Sequence, residues 1–216
     1  METNTNTITK RQTTAGSQAS RTRKLVQIGM LAAVAAVLMI FEFPIPILAP
    51  PFYEMDFSEI PVLVGSFAMG PLAGACIELI KVLINLVING TDTMFVGELA
   101  NFLMGCALVV PAGYIYKMRK SRKQALIAMA VGTVCMTLAA TVLNAYLLLP
   151  AYGKAFGMSM DVIIGAGAAV NGAIDSLFKF CLLAVAPFNL IKCVLVSVIT
   201  LLLYKHISRL LKGQGV

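Results

Sequence analysis

Residues 50–74 read PPFYEMDFSEIPVLVGSFAMGPLAG, and the fold turns on them. Within a few residues the chain passes from a double proline, an aromatic pair and three acids into a run apolar enough for hydrocarbon. The acids are Glu54, Asp56 and Glu59. Ser58 followed by Pro61 has the pattern of a helix start, a hydroxyl able to cap and a proline inside the first turn. The three acids are expected at an outer interface that water still reaches, with Asp56 alone on the ligand side. Gly70-Pro71 ends this helix, because proline lacks the backbone donor and disfavours helix in the residue before it. The apolar run 59–90 is therefore read as two spans joined by a tight turn.

The rest of the chain has the same character. Of its 216 residues 59% are hydrophobic and 12% charged, too little charge to cover a soluble domain. The apolar runs are long and continuous, which points to membrane helices rather than the alternating segments of a barrel. The spans are expected at 25–43, 58–70, 72–89, 94–116, 124–149 and 187–204, with Pro44, Pro150 and Pro187 at their boundaries. Residues 150–186, rich in Gly, Ala and Ser, are expected to form an outer loop with one or two short helices.

The net charge of +7 is gathered in three clusters, Lys10–Lys24, Lys117–Lys123 and Lys205–Lys212, each beside the end of an apolar run. Aromatic residues are not interleaved with them, which argues against nucleic acid. Six spans put all three clusters on one side, cytoplasmic by the positive-inside rule; a seventh span at 162–186 would put the last cluster outside. The expected fold is thus an all-α integral membrane protein with six transmembrane helices, both termini cytoplasmic, and a long first outer loop. Residues 1–23, polar and without an apolar face or a signal-peptide pattern, are expected to be a disordered basic tail. Residues 24–212 form the membrane domain.

Polar groups inside the spans need a reason. Glu78, Lys81 and Asn85 share a face of the third span, as an internal ion pair or a ligand contact. Glu98 and Asn101 lie one turn apart at the outer end of the fourth. A stripe of Thr133, Thr137 and Thr141 on the fifth leads to Asn144. On the sixth, Asn189 and Lys192 share a face, Lys192 either snorkelling or facing a pocket. Asn144, Asn189 and Lys192 are expected at one depth, where amides and an ammonium suit the edge of a flat heterocycle. Ala32 and Ala36 on the first span make a small-residue ridge, for internal packing or for docking a second membrane subunit.

Other features carry less. The five cysteines include no CxxC and read as free packing thiols. The lone His206 sits in a basic flank, and Asn89-Gly90-Thr91 is a weak sequon. An intramembrane enzyme would need a nucleophile–base or metal grouping that these residues do not assemble. An ion-coupled solo carrier would have only Glu78 and Lys81 as a relay, and no inverted repeat is visible.

In FEFPIPIL, MDFSEIPVLVGSFAMGPLAG, IELIKVLINL, VGELANF, NAYLLLPAYG and APFNLIK the chain resembles the riboflavin-specific substrate-binding component (S component, RibU type) of energy-coupling factor (ECF) transporters. The resemblance implies six helices and a vitamin binder of the bacterial plasma membrane that does no chemistry. It implies riboflavin as cargo rather than cofactor, and no metal. It also implies a partner module of a transmembrane coupling protein and two ATPase subunits, consistent with the lack of any GxxxxGK[ST] motif here. By the same resemblance Asn144, Asn189 and Lys192 contact the isoalloxazine ring. The first outer loop covers it with Phe52, Tyr53, Met55 and Asp56 in reach, and Glu98 and Asn101 join the pocket. Ala32 and Ala36 resemble the family's AxxxA docking motif. Another vitamin or flavin, thiamine or flavin mononucleotide (FMN), is the alternative cargo; the absence of Trp speaks against thiamine.

Overall fold

A computed structural model of the chain describes residues 2–91 and 94–211, with the side chains of 2–17, 19, 155 and 204–211 left aside. His206 and the last basic cluster lie outside the described side chains. The elements are α1 (Glu2–Ile40), β1 (Phe43–Pro44), β2 (Glu54–Met55), α2 (Glu59–Met69), α3 (Pro71–Asn89), α4 (Val96–Met118) and α5 (Arg122–Leu143). A π-helical segment, Asn144–Leu148, joins α5 to α6 (Leu149–Ala155). Then come α7 (Met160–Val170), α8 (Leu177–Phe180), a second π-helical segment, Cys181–Val185, and α9 (Ala186–Leu211).

Among the described residues five helical stretches are long and apolar enough to cross a membrane: Ser20–Ile40, Pro71–Asn89, Val96–Met118, Arg122–Lys154 and Leu177–Leu203. The expected second span is present as α2, but its 11 residues rise only about 16 Å at 1.5 Å each, half of a hydrocarbon core. The turn after α2 forms as the sequence predicts. Gly70 takes φ 105°, which favours glycine, and Pro71 opens α3.

Two prolines expected to end helices do not. The fifth helix runs past Pro150, and the last begins at Leu177, ten residues before Pro187. Each proline is the second residue after a π-helical segment. There the Leu149 N–H reaches back to the Asn144 carbonyl, and the Ala186 N–H to the Cys181 carbonyl. The widened turn leaves room for a ring that lacks an N–H, so the helix continues. The region 150–186 is accordingly less of a loop than expected, with α7 as its independent helix. α1 is continuous from Glu2 to Ile40, and no proline interrupts it.

The core has two large centres and a small third one around Ala49, Met55 and Phe188. One gathers α1 to α5 and α9 around Ala32, Leu63, Ile77, Leu108, Met129 and Val196. The other gathers the later segments around Leu149, Ile163, Phe180 and Val185. Ala32 and Ala36 are 0% and 2% exposed, so the ridge faces inward and serves the packing of α1 on α2 and α3 rather than an outer surface. Gly65 shows how tight that packing is: a Cβ there would fall 2.2 Å from Ile77 Cδ1 on α3.

The acids of the opening stretch also differ from expectation. Glu54 is exposed, but Asp56 and Glu59 are buried. Glu59 lies 2.8 Å from the Lys81 ammonium, which also lies 2.7 Å from Glu78 and donates to Ser58 Oγ at 3.1 Å. Two of the ammonium protons are donated in hydrogen bonds, to Ser58 and Glu59, and Glu78 is held by charge proximity, so Glu59, Glu78 and Lys81 form an internal ion cluster. Ser58 stands at the N-cap position, but its hydroxyl accepts from Lys81 instead of capping the helix. The Asp56 carboxylate takes the Ser58 N–H, at 2.7 Å.

Candidate functional site

β1 and β2 pair antiparallel, Phe43 with Met55 and Pro44 with Glu54, closing the first loop into a short strap. Successive strand side chains point to opposite faces, so Glu54 and Met55 separate. Glu54 lines a cavity of about 280 Å³ beneath the strap, whereas Met55 packs away from it with Ala49 and Phe188. Met55 is thereby removed from the expected site.

The other expected residues meet in that cavity: Phe52, Tyr53 and Asp56 from the strap, Glu98 and Asn101 from α4, Asn144 from the first π segment, and Asn189 and Lys192 from α9. Asn85, read from the sequence as part of an ion pair or as a ligand contact, lines the cavity too, and sequence reading missed several more. Met39 and Glu42 follow from the end of α1, Asn89 from α3, Met104 from α4, Met136 from α5, and Leu148, Tyr152 and Phe188 from the helices around the π segments. Asn89 carried a usable signal, since it lies one turn past Asn85 at the outer end of a span. Their amides bond to each other at 3.0 Å.

Polar groups among the lining residues are held in place by their own hydrogen bonds. Asn144 and Asn189 are buried, and each donates one amide proton to the carbonyl four residues earlier, Ala140 at 2.8 Å and Val185 at 2.9 Å. The Tyr53 hydroxyl donates to Asn144 Oδ1, tying the strap to the first π segment. Burial pushes the Tyr53 phenol well above its usual range, so it stays protonated and keeps donating. Lys192 lies 2.7 Å from Asp56, which ties the strap to α9. Burial works to raise the Asp56 carboxyl, but Lys192, with Lys81 behind it, overrides this and holds it well below the carboxylate range. Lys192 is therefore no snorkelling cation. It retains two protons, and Asn189 its carbonyl oxygen and second N–H, for a ligand edge.

Aromatic rings also line the cavity. Tyr53 meets Phe188 at 5.8 Å, and Phe52 is backed by the buried Phe180, parallel to it with centroids 6.5 Å apart. Such rings cover the faces of a flat ligand while the amides and ammonium address its edge. Among the described residues no His, Cys, Asp or Glu grouping could hold a metal ion. The site is built to bind.

Comparison with known proteins gives the family. The model of the family described as the ECF transporter, substrate-specific component, matches residues 23–204. Riboflavin transporter RibU of Staphylococcus aureus (strain TCH60) is 35% identical over 88% of this chain and 93% of its own length. Riboflavin transporter FmnP of Bacillus subtilis (strain 168) is 32% identical over 90% and 96%. A solved structure described as "Structure and mechanism of the S component of a bacterial ECF transporter" superimposes with a TM-score of 0.69 at 33% identity, covering 89% of this chain and 99% of the other. An apolar helical chain that encloses a binding cavity and matches this family over nearly its full length is a transport protein and not an enzyme: it belongs to the substrate-specific components of ECF transporters.

Proposed function

We propose that the chain binds riboflavin with high affinity at the outer face of a bacterial plasma membrane, for uptake driven by separate ATPase subunits. The observation that carries this reading is the cavity that Asn144, Asn189 and Lys192 line together with the rings of Phe52, Tyr53 and Phe188. Riboflavin is flat, with carbonyls and ring nitrogens along one edge, the complement of two amides and an ammonium. The relatives named riboflavin transporters support the same cargo.

In this reading α2 counts as a short sixth transmembrane helix and both termini are cytoplasmic. The cavity is lined by the last turn of α3 and the first of α4, whereas the exposed basic turn Lys117–Lys123 follows the other end of α4. That polarity supports an outward cavity under the positive-inside rule. The partner is an energy-coupling module of a transmembrane protein and two ATPases, and residues 1–23 extend from the membrane domain on its side. With Ala32 and Ala36 packed inside, the module docks elsewhere on the surface.

The test is a titration of the purified chain in detergent with riboflavin, following quenching of flavin fluorescence, with thiamine and folate as controls. Saturable quenching by riboflavin alone is expected. No saturation with riboflavin, or equal binding of thiamine, would sink the assignment.

A further inference from the structure

The strap over the cavity is held together by very little backbone pairing. Its ladder is two residue pairs long, Phe43 with Met55 and Pro44 with Glu54, and Pro44 has no N–H to give. A two-stranded ribbon of that length is marginal by itself, so the side chains across it decide whether it stays closed. The antiparallel register, continued by one residue, sets Glu42 opposite Asp56, and strand alternation puts Glu42, Glu54 and Asp56 on one face. All three line the cavity, as does Lys192 of α9. Asp56 is engaged by Lys192 and by the Ser58 N–H, each at 2.7 Å. Glu42 instead hydrogen-bonds to Glu54, carboxyl to carboxyl across the strap. Two carboxyl groups in such contact hold one proton between them, because two bare carboxylates would repel. Partial burial, then the charge of Glu54, pushes the Glu42 carboxyl up to about 7, so this proton exchanges near neutral pH. The charged groups acting on Glu42 are Glu54 and Asp56 of the strap and, opposing them, Lys192 of α9. Glu98 of α4, Tyr53 of the strap and Tyr152 of α6 are the other titratable groups among the described lining residues.

With its proton, the pair bonds the two arms of the strap together. Without it, like charges face each other across a short ladder, which is destabilising. We propose that Glu42 and Glu54 are positioning residues that clasp the strap over the ligand through one shared proton, and that the clasp loosens when the proton leaves. They act through Phe52 and Tyr53, the rings that the strap brings to the cavity. A flat ligand under the closed strap keeps water from the pair, so it also tightens the hold on the proton. Binding and proton uptake are thereby linked, and each favours the other. Capture of the vitamin is favoured on the acid side of neutrality. Riboflavin serves as the probe, which rests on the riboflavin reading above.

The experiment measures the riboflavin Kd by flavin quenching from pH 6 to pH 8.5, a range in which the vitamin itself stays uncharged, with the full chain in detergent. A pH-indicator dye in weak buffer follows the protons taken up on binding at pH 8. For the unsubstituted chain the Kd should rise about tenfold across the range, with about one proton taken up per flavin at pH 8. Glu42→Gln keeps a hydrogen bond to Glu54 but has no proton to lose, so its profile should be flat and its proton uptake absent. Glu42→Ala loses the bond as well, and should be flat but weaker than Glu42→Gln at pH 6. A level Kd in the unsubstituted chain, or a rise that persists in Glu42→Gln, overturns the inference alone. If the variants fail to fold, the unsubstituted chain decides: riboflavin binding at pH 8 without proton uptake also overturns it. Absence of riboflavin binding at every pH overturns the riboflavin reading, and the inference with it.

Discussion

At the residue scale, the site depends on a few buried polar groups whose loss leaves a partner stranded. Lys192→Ala leaves Asp56 buried beside an empty position, so riboflavin binding should weaken by at least tenfold, measured as Kd by quenching. Tyr53→Phe removes the hydroxyl that bonds Asn144 and leaves a buried carbonyl oxygen unpaired, a cost of about 1–3 kcal/mol. It should raise the Kd while leaving the fold, by circular dichroism, unchanged. Glu42 gives a pH signature. Its carboxyl is raised from the ordinary 4.5 to about 7, facing Glu54 and Asp56 with Lys192 as the opposing charge. The folded chain thus holds this proton more tightly than the unfolded one. The stability it contributes is present below about pH 4.5 and is lost as pH rises through about 7. Glu42→Gln should flatten the change in Tm between pH 5 and pH 8, and an unaltered slope would assign that change to other groups.

At the scale of elements, the legible and the illegible parts of the chain separate on physical grounds. Gly70-Pro71 was legible because a glycine with positive φ followed by proline admits one local solution, a helix end and a helix start. Pro150 and Pro187 were not, because a proline tells only that a hydrogen bond is missing. Whether the helix breaks or widens into a π turn depends on what packs around it, and here the second core centre holds both helices on course. Met55 was misassigned for a similar reason: two paired residues of strap, invisible in composition, decide which of Glu54 and Met55 faces the cavity. Asn144, Asn189 and Lys192, which line the cavity, stood out in the sequence because polar groups in hydrocarbon are conspicuous, whereas the lining residues Met104 and Met136 look like any core methionine. The small-residue ridge was seen, but which way it faced was not, since helix periodicity does not show which face meets the protein. Its burial changes what substitution does. Ala32→Leu should cost about 1–3 kcal/mol through overpacking and lower Tm, instead of sparing the fold and blocking a partner.

At the scale of the whole molecule, a chain of ion pairs and hydrogen bonds joins the cavity to the protein's centre. Lys192 holds Asp56, Asp56 holds the start of α2, and Lys81 holds Ser58 and Glu59 against Glu78 of α3. Lys81→Met would leave the Glu59 and Glu78 carboxyls buried together without a counter-ion, a loss of about 3–5 kcal/mol that should appear as a sharp drop in Tm. At the other end of this chain the strap is tied by the Asp56–Lys192 ion pair and, as a second tie, by the Tyr53–Asn144 hydrogen bond, and this bears on time as well as affinity. In the riboflavin reading, a bound vitamin leaves when the strap lifts, and lifting it parts both ties. The ion pair then acts as a latch that helps set how long cargo stays aboard, long enough, in a transporter, for a partner to arrive. Asp56→Asn should shorten that residence more than it slows capture, visible as a faster release of prebound flavin in a stopped-flow chase.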